Sequence, residues 1–205
     1  MSKHDEAVRH LIAADRKLAA IIKRVGPCRL EHDTKRTPFR ALVTSIAYQQ
    51  LNGKAAETIL GRVMALYPRK RFPSAEDLLA TREELLRGAG LSRAKTAAVH
   101  DIARKAVDGV VPNRRTISRW KDHEIIERLT VIRGVGPWTV EMLLIFTLGL
   151  MDVLPVNDFG VRKGFARVHG LEDLPKPSEL LEHGEKWRPY RSVAAWYLWR
   201  AADEK

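Results

Sequence analysis

The chain has 205 residues, of which 45% are hydrophobic, with a net charge of +11 and a single cysteine. That length suffices for one or two compact cores, and no apolar run reaches the ~20 uncharged residues that a membrane-spanning helix needs. Cys28, standing alone, excludes an internal disulfide, a Cys-rich zinc site and an iron–sulfur cluster. The N-terminus, MSKHDEAVRH, lacks the apolar core of a signal peptide. The expectation is therefore a soluble, cytoplasmic protein, a monomer with no membrane partner. Its basic residues are spread along the chain and favour a polyanionic partner, nucleic acid above all, because neutralising phosphates releases counterions. A generally basic, solvated surface accounts for the charge equally well.

Taken in chain order, residues from about His4 to Val25 have the spacing of one helix, with Val8, Leu11, Ile12, Leu18, Ile22 and Val25 on its apolar face. Gly26-Pro27 stops it, and Arg29 to Thr37 reads as a linker. Pro38 starts a second helix through Phe39, Leu42, Val43, Ile46 and Ala47, ending in Tyr48-Gln49-Gln50-Leu51 and an Asn52-Gly53 turn. A third helix is predicted from about Lys54 to Tyr67. Ser74 is a candidate N-cap, Thr81 with Glu84 matches a capping box, Ser92 caps a longer helix, and Asp122 is a candidate cap for the helix carrying Ile125, Ile126 and Leu129. No segment alternates with period two, and no repeat or low-complexity stretch appears. The fold class expected is all-α, about ten helices joined by short loops.

The helix ending at Leu129 leads into Ile132-Arg133-Gly134-Val135-Gly136, and Pro137 opens the next helix. The glycines leave no side chain to hinder a close ligand. The turn's N–H groups and the helix start together suit an anion such as a DNA phosphate. Glycines also make plain helix–turn–helix connections, so the turn alone supports either reading. The helix beyond it, Thr139 to Leu148, carries one charge, Glu141, and is expected to be nearly surrounded by protein. Asp158 follows Pro155-Val156-Asn157; alone, it reads as a helix N-cap as readily as a functional carboxylate.

Four stretches together carry a resemblance to a known family. LTVIRGVGPWTVEMLL resembles the helix–hairpin–helix of base-excision DNA glycosylases, and LPVNDFGVRKGFARV resembles their Pro-Val-Asp loop. AYQQLNGKAAETI resembles their Gln-Gln motif, and WRPYRSVAAWYLWR resembles the C-terminal helix of the alkyladenine branch. The match runs from about Pro38 to Arg200 and is closest to the DNA-3-methyladenine glycosylase II (AlkA-like) group. A compact form is expected, without the N-terminal β domain of the longer bacterial members.

The resemblance implies two helical subdomains with a cleft between them. One, 38–150, carries the hairpin (about 129–149); the other combines 1–37 with 151–205. It implies that Asp158 is catalytic, that Leu51 wedges into the stack with Gln50 on the exposed base edges, and that Trp138, Phe159, Trp199, Met142 and Tyr48 line the base pocket. Met142 stands where the longer bacterial enzymes carry a tyrosine. Read from the residues alone, Leu51 is also an ordinary core residue at a helix end, and Trp196, Tyr197 and Trp199 a core cluster. Gly134, Val135, Gly136, Thr139, Arg162 and Lys163 are the remaining DNA contacts expected, with Arg93 and Lys95 as further candidates. The family also implies a monovalent cation, Na+ or K+, on the backbone carbonyls of Thr130, Ile132 and Val135; no cofactor is required. Where the bifunctional members have a Schiff-base lysine, this chain has Trp138, which implies a glycosylase without lyase activity.

The chemistry agrees with a single carboxylate. A purine alkylated on a ring nitrogen is already cationic and departs without a proton donor, so one negative charge beside the sugar carbon suffices. The partner expected is double-stranded DNA containing alkylated bases, and base excision repair is the setting. The competing reading is a non-catalytic helix–hairpin–helix module that only holds or recognises damaged DNA.

Overall fold

A computed structural model describes residues 3–204. Every regular element among them is helical. In chain order these are α1 (Lys3–Ala14), α2 (Arg16–Val25), α3 (Pro38–Tyr48), α4 (Gly53–Ala65), α5 (Ala75–Ala80), α6 (Glu83–Gly88), α7 (Arg93–Val107), α8 (Arg114–Ile117), α9 (Asp122–Leu129) and α10 (Pro137–Leu143). A π-helical turn, Leu144–Leu148, continues α10; α11 (Phe159–His169), α12 (Pro177–Gly184), a short 3-10 turn at Glu185–Trp187 and α13 (Arg191–Asp203) complete the chain. None of the described helices is long and apolar enough to cross a membrane.

Local chemistry explains where the elements differ from the periodicity. The single helix expected from His4 to Val25 is two, because Asp15 adopts an extended conformation (φ −144°) and its carboxylate accepts the N–H groups of Lys17 and Leu18. An Asp that captures those donors caps a new helix rather than continuing the old one. The Thr81–Glu84 capping box does not form. The Thr81 hydroxyl instead bonds the Asp77 carbonyl and the Tyr67 hydroxyl, and Arg82 stands at the N-cap position of α6. Asp122 lies inside the first turn of α9; Glu124 is the residue that accepts the Lys121 N–H there. Ser74 and Ser92 do cap α5 and α7.

The chain divides into two compact units, Asp33–Leu143 and the segments on either side of it, up to His32 and from Leu144 onward. In the first, α7 packs against α5 and α3, and α3 packs against α4 and α10. Leu42, Ile46, Leu78, Leu86, Ile102, Ile117, Ile125 and Leu129 are fully buried there. The second unit is built on α11 against α13, with α1 and α2 beside them. Gly164 permits that approach: a methyl at this position would overlap the Leu198 backbone carbonyl. Trp187, Tyr197, Leu11 and Leu18 fill the core, and the Tyr197 hydroxyl donates to the Gly26 carbonyl at 2.8 Å.

Candidate active site

The segment before α11 is tied down by α13. The Ser192 hydroxyl donates to the Leu150 carbonyl at 2.7 Å and receives the Val153 N–H at 2.9 Å, while Ser192 N–H reaches the Met151 carbonyl at 2.9 Å. Arg191, buried, forks onto the Asp152 carboxylate at 2.7 and 3.1 Å. These bonds fix the route of the chain into Asp158, which caps α11 by accepting the Val161 N–H on Oδ1 at 2.8 Å. The indole Nε1–H of Trp199 donates to the same oxygen, also at 2.8 Å. The carboxylate is therefore both the helix cap and a group oriented by an aromatic donor.

This alters the reading of Trp199, which the resemblance implied only as a pocket face. Its ring stacks on Phe146 (5.7 Å between centroids) while its N–H holds Asp158. Trp196 and Tyr197 do belong to the core. Gly160 makes the arrangement possible: a Cβ there would lie 2.8 Å from the Trp199 ring and 3.2 Å from Asp158 Oδ1. Phe159 stands next to the carboxylate and is 67% exposed, an apolar ring with no cover of its own. Lys163 is exposed, whereas the Arg162 Nε is engaged by the Pro175 carbonyl at 2.9 Å.

In the unit Asp33–Leu143, the hairpin turns through Gly134 at φ +75°, where a side chain would also meet Ala98 at 3.1 Å. Arg133 N–H is held by Asp101 at 2.8 Å, and Val135 N–H returns to the Ile132 carbonyl at 3.0 Å. The first helical bond of α10 runs from Val140 to the Gly136 carbonyl. The N–H groups of Gly136, Trp138 and Thr139 therefore precede the helical ladder. Trp138 is 43% exposed and presents its indole at this start; Met142 and Tyr48 are half-buried. Thr139 reaches the start of α10 by its main chain alone. It is 2% exposed, and its hydroxyl takes the Gln49 amide, leaving only its backbone N–H for an anion.

The turn after α3 is strained and pinned. Gln50 has φ +58°, a left-handed conformation that costs a residue with a Cβ roughly 1–2 kcal/mol. Leu51 follows it, 39% exposed, so it is not the core residue that a plain helix end would supply. Two contacts that the sequence did not reveal hold this turn. Gln49 Nε2 donates to the Gly134 carbonyl at 3.0 Å, joining the turn to the hairpin. Lys95 Nζ donates to the Ala47 and Gln49 carbonyls at 2.9 and 2.7 Å. Lys95 is thus a cap on the end of α3 rather than an exposed phosphate contact, and desolvation pulls its ammonium below the usual lysine range. Arg93 lies beside Glu83 and Arg133.

The three hairpin carbonyls form an uncharged, oxygen-only donor set of the kind a monovalent cation accepts. Ile132 O already receives one N–H, from Val135, and keeps a second lone pair. No backbone N–H among the described residues reaches Thr130 O or Val135 O. In chemical type and in lone pairs left over, these carbonyls suit such an ion.

Comparison with known proteins places these features in a family. Residues 43–189 match the model of the HhH-GPD superfamily base excision DNA repair protein. DNA-3-methyladenine glycosylase 1 of Schizosaccharomyces pombe is 37% identical over 94% of this chain and 85% of its own length. Among solved structures, the S. pombe 3-methyladenine DNA glycosylase (Mag1) in complex with abasic DNA superposes with a TM-score of 0.85 at 37% identity, covering 95% of both chains. A DNA-3-methyladenine glycosidase from Bacillus halodurans superposes with a TM-score of 0.86 at 36% identity, covering 96% of this chain and 89% of that one. The chain belongs to the HhH-GPD superfamily of base excision DNA repair proteins.

Proposed function

We propose that this protein is a monofunctional DNA glycosylase that extrudes alkylated, cationic purines such as 3-methyladenine and 7-methylguanine from duplex DNA and hydrolyses their glycosidic bond. One observation carries the reading: the Asp158 carboxylate is fixed at the start of α11 by the Val161 N–H and the Trp199 indole. As the bond between sugar and base breaks, positive charge develops on the sugar carbon. A carboxylate about 4 Å away, at an effective dielectric of ~20, lowers that state by about 4 kcal/mol. That is roughly a thousandfold in rate. The leaving purine takes the bonding electron pair and becomes neutral. Water adds to the sugar carbon and gives up a proton, leaving an abasic site.

The rest of the chemistry is binding. Leu51 is the wedge that fills the gap left by the extruded base, and Gln50 meets the exposed base edges. Trp138 and Phe159 offer aromatic faces, where a cationic base gains roughly 1–2 kcal/mol. Gly134 and Gly136, with Val135 bracing the turn between them, hold a DNA phosphate through backbone N–H groups, and Lys163 supplies further positive charge toward the duplex. The carbonyls of Thr130, Ile132 and Val135 would hold a Na+ or K+ ion, which would supply positive charge toward a DNA phosphate. The place of action is cytoplasmic, on DNA.

The test is base release from methylated duplex DNA in EDTA, with the products divided between alkali-treated and untreated halves. The proposal predicts free methylpurines and strand breaks only after alkali, with no covalent adduct on borohydride treatment. Breaks without alkali, or a trapped adduct, would contradict the assignment of Trp138 to a site without a Schiff-base amine.

A further inference from the structure

A second cluster of chemical groups lies in the unit that contains α1, α2 and α11–α13, and the glycosylase reaction does not use it. Asp15 is 3% exposed. Its Oδ1 caps α2, and its Oδ2 receives His183 Nε2 at 2.9 Å and Trp187 Nε1 at 3.1 Å, with Lys186 Nζ at 3.2 Å. Burial alone would push the Asp15 carboxyl up, but bonds from His183, the Leu18 N–H and Lys186 hold it well below the usual carboxylate range, so it is a full negative charge at neutral pH.

His169 is the member that the hydrogen bonding leaves out. Its side chain is 9% exposed and its Nε2 has no hydrogen-bond partner. That nitrogen lies 3.7 Å from Asp15 Oδ2, too far for a hydrogen bond. A buried, unpaired imidazole nitrogen is costly to maintain, and native proteins rarely leave one without a reason. The ring is not loosely placed: Phe165 stacks on it at 4.2 Å and meets His183 edge-on at 4.8 Å, so one side chain sets both imidazole planes.

We propose that Asp15, His169 and His183 form a Zn2+ site that fastens the start of α2 to the end of α11 and to α12. One ligand atom from each residue lies within 4.8 Å of the other two. Three atoms so spaced have a common centre within about 2.8 Å of each, so side-chain shifts of roughly 0.6–0.8 Å bring all three to the zinc–ligand distances of roughly 2.0–2.2 Å. Two imidazoles and one carboxylate are a donor set for zinc rather than for magnesium or calcium. The ammonium of Lys186, on a side chain 40% exposed, is the cation that now neutralises Asp15 and that the metal displaces. His169 also lines an open groove with Arg16, Lys17 and Gly170, so one of the three ligand residues borders solvent.

The test uses the purified full chain stripped with EDTA, titrated with Zn2+ against a chromophoric chelator and with Co2+ for its ligand-field absorption. The expected result is uptake of one ion per chain, with a Co2+ spectrum of low coordination number and a raised unfolding temperature. His169→Gln and His183→Gln should each weaken binding by about 100-fold. Lys186→Met, which keeps all three ligands and removes the competing cation, should tighten it. Absence of stoichiometric uptake, or binding that survives both histidine substitutions, overturns the site. Should a histidine variant fail to fold by circular dichroism, Lys186→Met decides: tighter binding supports the site, and unchanged binding overturns it.

Discussion

Replacing Trp199 with Phe removes one hydrogen bond from the proposed catalytic group and little else. The phenyl ring can still stack on Phe146, and Asp158 keeps its bond from the Val161 N–H. The bond lost is 2.8 Å long and ends on a carboxylate, a class worth about 1.5–3 kcal/mol. Only the part that differs between ground and transition state reaches the rate. Without the indole donor, the carboxylate can shift about the Val161 bond. Moving it from about 4 to about 5 Å from the developing charge loses roughly 0.8 kcal/mol at an effective dielectric of ~20, or about fourfold. Misorientation of a reacting group by ~1 Å can cost up to about a hundredfold. Single-turnover release of methylpurines by Trp199→Phe should therefore fall between those limits, with duplex affinity unchanged. A rate within about twofold of wild type, at saturating protein, would refute the positioning role. So would a loss as deep as that of removing the Asp158 charge, since Trp199 would then do more than orient it.

Other perturbations test the scaffold. Gly164→Ala forces a methyl into the Leu198 carbonyl; separating α11 from α13 should cost about 2–3 kcal/mol and lower the melting temperature by roughly 5–10 °C in calorimetry. Gln50→Gly relieves the left-handed strain at φ +58° and should raise stability by about 0.5–1 kcal/mol, while base flipping, followed with a fluorescent base analogue, weakens. Burial raises the folded-state pKa of the Tyr197 phenol above its unfolded value of about 10. The neutral phenol therefore contributes fully below pH ~10, and stability falls as pH rises beyond that, by up to about 1.4 kcal/mol per unit. Urea melts of wild type and Tyr197→Phe should show a steeper alkaline slope in the first than in the second, where Cys28, Tyr67 and Tyr190 still titrate.

The helical class and the hairpin were legible because both are written locally. Apolar spacing marks α3 and α7, Pro38 and Pro137 mark helix starts, and Gly134 does occupy the positive-φ position its turn requires. Asp158 was legible as a residue but not in its setting. Nothing in the spacing shows that a tryptophan 41 residues further on donates to its oxygen, because α11 and α13 meet only through tertiary packing. The same holds for Lys95 and Gln49, whose bonds to the Ala47 and Gly134 carbonyls span 48 and 85 residues. The break between α1 and α2 was missed for a different reason. The apolar period runs through Asp15 without interruption, and only the competition of its side chain for two N–H groups, reinforced by His183 and Trp187, divides the helix.

The most direct measurement is methylpurine release by Asp158→Asn beside wild type, with duplex affinity determined on the same preparations. Asparagine retains an oxygen for the Val161 N–H and the Trp199 indole, so the cap and the fold survive while the charge is lost. The account predicts a loss of about a thousandfold in release rate with DNA binding intact. Release within about tenfold of wild type would contradict the assignment of catalysis to Asp158. Salt-sensitive duplex binding without base release by either protein would instead identify a module that holds damaged DNA and does not cut it.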